Sequence, residues 1–251
     1  MTLGFALAGL LAGALLNWAA DGLPRWAYQP PHAPSVLRSV SRRWGHAASY
    51  SNPKFRLALW VFLRSLANKE RLRDLSKPLW IAAAVEFLML LLFGYLGIRY
   101  GLSWNSLFLA FTGSLFILVA LIDLQRQLVL NVLILPAAAA ALLIQSASPA
   151  MGLLPTLVGG GFGFAIFALT ALVRPGQLGG GDIKLATFIG LLFGFPNALW
   201  ALMIGVFAGG VAAAYLILAR RSNPKSQMPY APFLCLGALL LLYVNPPLTF
   251  R

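Results

Sequence analysis

The chain has 251 residues, of which 60% are hydrophobic and only 10% are charged, and its net charge is +13. Soluble domains are about half apolar and roughly a quarter charged, so this composition excludes a water-soluble globular protein and predicts an integral membrane protein. The basic residues are concentrated between apolar runs, which predicts contact with anionic lipid headgroups and no nucleic-acid partner.

Apolar runs that approach the roughly 20 residues needed to cross a bilayer recur along the whole chain. They lie near residues 2–20, 79–98, 104–122, 128–146, 154–173, 184–195, 197–219 and 229–246. The sixth run is short, and Phe195-Pro196-Asn197 predicts a turn before the seventh. We therefore predict an all-α, polytopic membrane helix bundle of about eight transmembrane helices.

Lys and Arg in the connections predict the orientation of this bundle, since cytoplasmic loops carry an excess of them. The loop of about 55 residues at 24–79 contains eleven. With eight spans, 17 of the 19 basic residues fall on one side. Residues 24–79 are thus expected in the cytoplasm and both termini outside, in the bacterial inner membrane. Because positive charge follows residues 1–20 rather than preceding them, we expect a retained span and not a cleaved signal peptide.

The long loop contains one segment with a pattern of its own. Residues 54–76 resemble a basic amphipathic helix, which is expected to lie on anionic headgroups, with direct substrate contact as the alternative. His32 and His46 have no Cys or carboxylate at metal-ligand spacing, so no metal site is expected. A single cysteine, Cys235, excludes an intrachain disulfide and is expected to be a small packing residue.

Pairs of glycines one helical turn apart recur within the apolar runs. Such pairs allow two helix backbones to approach closely, which predicts tight packing within the bundle. They are Gly9/Gly13, Gly159/Gly163, Gly190/Gly194 and Gly205/Gly209.

Three ionisable side chains lie within the spans, where they are costly and mark function: Glu86, Asp123 and Asp182. Asp123 ends the third span and Asp182 begins the sixth, so both are predicted at the cytoplasmic membrane edge, with Glu86 deeper. Two carboxyl groups in one site repel, so one keeps its proton while the other can take a proton from water. This is the aspartic-protease arrangement, which needs neither metal nor cofactor; which aspartate is protonated stays open.

Each aspartate also has a purely structural interpretation. Asp182 could stabilise a helix N-terminus, with Arg174 or Lys184 as its ion partner, and Asp123 could face headgroup water. The glycines at 179–181 would let a substrate backbone come close to the site, which is what a functional role needs. On the residues alone, the structural and catalytic interpretations of each aspartate stay equally open.

These motifs resemble the type IV prepilin peptidase family, the GxGD class of intramembrane aspartic proteases. Five blocks occur in the family's order. They are Asn17 with Leu23-Pro24-Arg25, the VEFLML stretch around Glu86, Asp123 with Leu133-Ile134-Leu135-Pro136, Gly179-Gly180-Gly181-Asp182-Ile183-Lys184-Leu185, and MPYAPFLCLG from Met228.

The resemblance implies a prepilin leader peptidase. Such enzymes cut the basic leader of type IV prepilins or pseudopilins on the cytoplasmic side, typically after Gly, and bifunctional members then methylate the new N-terminus with S-adenosylmethionine. It makes Asp123 and Asp182 the catalytic pair and places Glu86 in the methylation-associated region. Residues expected to bind substrate or support the site are Gly179, Gly180, Gly181, Lys184, Pro136 and Glu86. It also implies an N-terminal region at 1–100 and a peptidase domain at 101–251.

The sequence departs from the family in two places. The 24–79 loop lacks the two Cys-x-x-Cys pairs of bifunctional members, so no zinc is expected and methyl transfer stays open. Gln125, Leu130 and Asn131 stand where the family often has a second acid and a Pro-Asp, which lowers the negative charge near Asp123.

Two other classes of function stay open on the residues alone. Three membrane carboxylates and glycine-interrupted helices could form the proton relay of a coupled transporter, although no paired halves are evident. A catalytically idle pilus or secretion assembly factor would need neither aspartate. A presenilin-like protein is disfavoured because that branch's Tyr-Asp and Pro-Ala-Leu elements are missing.

Overall fold

The computed structural model describes residues 2–27, 77–173, 178–218 and 229–247. Within these ranges all regular elements are helices, eight in number. They are α1 Thr2–Ala27, α2 Lys77–Tyr100, α3 Trp104–Arg126, α4 Asn131–Ala147, α5 Leu153–Val173, α6 Gly180–Phe193, α7 Asn197–Leu218 and α8 Ala231–Val244. The predicted all-α helix bundle is confirmed. The predictions for the amphipathic segment 54–76, for His32 and for His46 lie outside the described residues.

Four of these helices are long and apolar enough to cross a membrane: Ala83–Tyr100, Trp104–Arg126, Leu153–Val173 and Asn197–Tyr215. Shorter apolar helices occupy Gly4–Ala20, Asn131–Ala147 and Ala231–Val244. Large apolar side chains cover the outside of the bundle, as Leu172 and Phe207 do with 77% and 75% of their surface exposed. This exposure suits contact with lipid and makes the chain a multi-pass membrane protein.

The sixth helix begins earlier than the apolar run predicts. The run predicts a start near residue 184, whereas α6 begins at Gly180 and ends at Phe193. Gly180 and Gly181 are therefore inside the helix rather than before it, because Gly179 serves as the N-cap and Asp182 completes the cap three residues later. The predicted turn at 195–197 is confirmed, since α7 begins at Asn197.

Glycines allow the antiparallel neighbours α1–α2 and α5–α6 to pack closely. A Cβ on Gly13 would lie 2.8 Å from the Cα of Glu86, so α1 and α2 nearly touch there. In α5, Gly159 lies against the backbone of Gly190, and Gly163 lies against that of Ala186. The predicted role of these glycines in helix packing is confirmed.

Two cross-helix hydrogen bonds show that α4 and α6 run side by side in the same direction. At their N-terminal ends, Lys184 Nζ donates to Asn131 Oδ1 at 2.8 Å. At their C-terminal ends, Gln145 Nε2 donates to the carbonyl of Leu192 at 2.9 Å. Short connections alternate the direction of the intervening helices. Consequently α3 and α5 end, and α4 and α6 begin, at one end of the bundle.

The last two helices place a third N-terminus at that same end. Gly205 of α7 packs against Leu234 of α8, and Gly209 packs against Tyr230, so the two helices are antiparallel. Between the helices lies a continuous apolar core in which Phe116 of α3 and Phe188 of α6 approach to 5.4 Å between ring centroids. The N-termini of α4, α6 and α8 therefore converge where α3 ends.

Candidate active site

Asp123 lies in the last turn of α3 and is almost completely buried, with 5% of its surface exposed. The helix stops just beyond it because Gln127 adopts a left-handed conformation (φ 52°) and returns its N–H to the Asp123 carbonyl at 2.8 Å. Within the described residues the side-chain oxygen Oδ2 has no hydrogen-bond partner. Burying a carboxyl oxygen without a protein partner is costly, which marks Asp123 as a candidate functional residue.

Asp182 lies in the first turn of α6, where the helix dipole favours a carboxylate. The N–H of Gly179 donates to Asp182 Oδ2 at 3.3 Å, so the helix-stabilising role considered from the sequence is observed. The proposed ion pair with Lys184 is not formed in the described part of the chain, since the Lys184 ammonium contacts Asn131. The other suggested partner, Arg174, lies outside the described residues.

The structure brings the two aspartates together. The carboxyl groups of Asp123 and Asp182 lie close enough to interact electrostatically, although the residues belong to different helices. Capping occupies only one oxygen of Asp182, which leaves the other available to a ligand. Two carboxyl groups that interact across a site are what acid–base hydrolysis by a carboxyl pair requires. The catalytic role of Asp123 and Asp182 stays a prediction.

The first turn of α8 completes the surroundings of the pair, which the sequence reasoning missed. The backbone N–H of Ala231 is a hydrogen-bond partner of the Asp123 carboxyl. The phenol of Tyr230 lies in electrostatic range of Asp182, and the buried thiol of Cys235 in range of both carboxyl groups. Cys235 is buried, as expected of a small packing residue, and its position beside the two carboxyl groups was not predicted. The closing MPYAPFLCLG block was the available signal, and its residues were treated only as part of the resemblance.

The three glycines before Asp182 occupy different surroundings. A Cβ on Gly181 would lie 2.6 Å from the Cβ of Val129, so the connection between α3 and α4 fills that space. Gly179 is the helix cap, and a Cβ on Gly180 would meet nothing within 4 Å. Close approach of a substrate backbone therefore stays a prediction that the open surface at Gly180 favours.

Two other predicted residues lie apart from this group. Glu86 is buried in α2, with 2% of its surface exposed, and it packs against Gly13 of α1. Pro136 is inside α4 with an exposed side chain. Lys184 is at the edge of the site, joined to Asn131. The roles of all three stay predictions.

Fold and site together define a multi-pass helical membrane protein in which two aspartates meet at the ends of two helices. Residues 109–214 match the model of the type IV leader peptidase family. The resemblance indicated by the sequence motifs is thereby confirmed, and residues 109–214 are similar to a type IV leader peptidase domain.

Curated proteins named prepilin leader peptidase/N-methyltransferase are similar to this chain. The protein of Bacillus subtilis is 34% identical over 160 residues, which are 62% of this chain and 63% of the relative. The Pseudomonas aeruginosa protein is 26% identical over 66% of this chain and 59% of its own length. The Aeromonas hydrophila protein is 23% identical over 88% of this chain and 76% of its own length. The chain thus spans about three fifths of the first two relatives, and no solved structure matches it.

Proposed function

We propose that this protein is a prepilin leader peptidase that cuts the basic leader of type IV prepilins or pseudopilins. One observation carries the proposal: Asp123 and Asp182 interact across two helices in a segment that is similar to a type IV leader peptidase domain. The catalytic unit is residues 101–251, and residues 1–100 form an N-terminal region. Neither metal nor cofactor is required for this reaction.

The proposed reaction is hydrolysis by a shared-proton carboxyl pair. The ionised carboxylate takes a proton from water as its oxygen attacks the scissile carbonyl carbon. The protonated carboxyl donates to the carbonyl oxygen in the same step. Collapse of the tetrahedral intermediate breaks the C–N bond, and a proton returns to the leaving amine, which becomes the N-terminus of the mature pilin.

The distribution of charge supports a cytoplasmic site in the inner membrane. Most Lys and Arg residues fall in the connections at the aspartate end of the predicted topology, which is the cytoplasmic side by the positive-inside rule. A basic leader and a basic face repel each other, so charge attraction does not recruit the substrate. We infer that the apolar helix of the prepilin, lying in the bilayer, supplies the affinity, while the basic face binds anionic lipid.

A second candidate activity is methylation of the new N-terminus with S-adenosylmethionine as the methyl donor. The names of the relatives include this activity, which is the observation that favours it here. The residue proposed for the associated region is Glu86, which is buried between α1 and α2. Zinc is not part of the proposal, because the 24–79 loop has no cysteine.

Replacing either aspartate tests the peptidase directly. We expect Asp123→Asn and Asp182→Asn each to abolish cleavage of a co-expressed prepilin whose basic leader ends in Gly ahead of Phe, because an amide cannot exchange the proton. Mass spectrometry of the pilin reports both the cut position and an added methyl group. Membrane insertion of each variant is checked by fractionation, and Ser146→Ala, at the opposite end of the bundle, is the control that keeps wild-type cleavage.

The rival functions give different results in the same system. Normal processing by either asparagine variant would overturn the catalytic assignment. An uncut prepilin with the wild-type protein, together with intact pilus or secretion assembly, would indicate an assembly factor. Substrate uptake driven by a pH gradient in liposomes would indicate a transporter.

A further inference from the structure

Two contacts hold the connection between α3 and α4 against the first turns of α6. Lys184 Nζ donates to Asn131 Oδ1 at 2.8 Å, which joins the start of α4 to α6. Val129, two residues before Asn131, fills the space above Gly181, three residues before Lys184. Both contacts bind the segment that follows Asp123 to the turn that carries Asp182.

Only a few residues of backbone separate each aspartate from these contacts. Asn131 follows Asp123 by eight residues, and Lys184 follows Asp182 by two. We propose, resting on the proposed peptidase function, that Asn131 and Lys184 are a pair of positioning residues. Their hydrogen bond sets the separation of the two aspartates, and neither side chain takes part in the chemical step.

The far ends of the same helices show why this bond acts on the site rather than on the fold. α4 and α6 are also joined at their C-terminal ends by Gln145 and the Leu192 carbonyl, in a buried hydrogen bond. The Asn131–Lys184 bond is exposed, and exposed polar pairs contribute little to global stability. Losing it leaves the helices packed but frees the start of α4 and its connection. Reaction rates respond strongly to small misplacement of catalytic groups, so losing this bond should lower activity more than it lowers global stability.

The partner of Lys184 is neutral, and this distinguishes a positioning role for Lys184 from a role in which its charge alone binds substrate or lipid. Asn131 offers one amide oxygen, which accepts from the ammonium without neutralising it. If Lys184 instead bound substrate or lipid by its charge alone, the Asn131 side chain would be dispensable. The two roles therefore predict different results for the two residues.

A double-mutant cycle tests the pair. We expect Asn131→Ala and Lys184→Met each to lower kcat for the prepilin about tenfold while KM stays near the wild-type value. The double variant should be no slower than either single variant, because each change breaks the same bond. Asn131→Asp keeps a hydrogen-bond acceptor at the same place, so this variant should retain the activity that Asn131→Ala loses. The neighbouring exposed residue supplies the control, Val132→Ala, which should cleave at the wild-type rate.

A spectroscopic measurement separates this proposal from the peptidase assignment. Spin labels on Leu128→Cys and Gly180→Cys, both at exposed positions, report the separation of the α3–α4 connection from α6. We expect a narrow distance distribution that broadens in Asn131→Ala and in Lys184→Met, whether or not the wild-type protein cleaves prepilin. An unchanged distribution, additive losses of kcat, or loss in Lys184→Met alone would overturn the positioning role.

Discussion

At the scale of single residues, the site depends on which neighbour fills each available space. Gly180 and Gly181 are adjacent and chemically identical, yet only Gly181 lies under another part of the chain. A signature such as GxGD shows that small residues precede the aspartate but not what excludes a side chain there. The contact with Val129 supplies that reason for Gly181.

We expect Gly181→Ala to destabilise the protein by about 1–3 kcal/mol and to impair cleavage, because the new methyl would overlap Val129. Thermal unfolding in detergent micelles measures the first effect, and prepilin processing measures the second. Gly180→Ala is the matched control for thermal unfolding, since its methyl meets no protein atom and alanine is the better helix former. Adding Val129→Gly should relieve Gly181→Ala; equal melting temperatures for Gly180→Ala and Gly181→Ala would contradict the explanation.

At the scale of elements, the position of Asp182 depends on how closely α6 can approach its neighbours. The helix has 14 residues, and its glycine-bearing face lies directly on the backbone of α5. Glycines on both helices make this approach possible, and dispersion at such short range stabilises helix pairs in lipid. The α5–α6 contact is therefore one of the interactions that fix the position of the helix carrying Asp182.

Widening this interface should affect both stability and catalysis. We expect Gly159→Ala to lower the free energy of unfolding by about 1–3 kcal/mol and to slow processing, since its Cβ would enter the backbone of Gly190. Gly161→Ala lies on the same helix facing open space and should behave like the wild type. Thermal unfolding and cleavage rates of the two variants give the comparison, and indistinguishable curves would rule out this account of the interface.

At the scale of the whole molecule, alternation of helix direction brings three helix N-termini to the end where Asp123 and Asp182 meet. Partial positive charge at the starts of α4, α6 and α8 favours carboxylates there, and the N–H groups of Gly179 and Ala231 contact the pair directly. The basic residues of the connections are predicted on this same side.

Labelling with a membrane-impermeant maleimide tests this orientation. We expect Gly180→Cys to react only in inside-out vesicles and Asn245→Cys only in intact spheroplasts, because the two exposed positions are at opposite ends of the bundle. Wild-type protein is the blank, since its single cysteine, Cys235, is fully buried. The reverse pattern would place the aspartates outside the cytoplasm and contradict the proposed access for leaders.

Much of this arrangement could be predicted because the relevant signals are local. Apolar runs predicted the helices, and the motifs around Asp123 and Asp182 predicted the family. The start of α6 was misplaced because capping by Gly179 extends the helix beyond its apolar run. The contributions of Tyr230 and Ala231 were missed because they depend on contacts between distant helices.

By itself, the sequence determined a basic, multi-pass helical protein with two aspartates at helix ends, since hydropathy and motif spacing act within one segment. Only the tertiary structure decided which partners those segments find. Lys184 could have paired with Asp182, two residues away, but it contacts Asn131 on a neighbouring helix. The sequence contains several polar side chains that could accept a hydrogen bond from Lys184. Helix packing brings Asn131 within hydrogen-bonding distance.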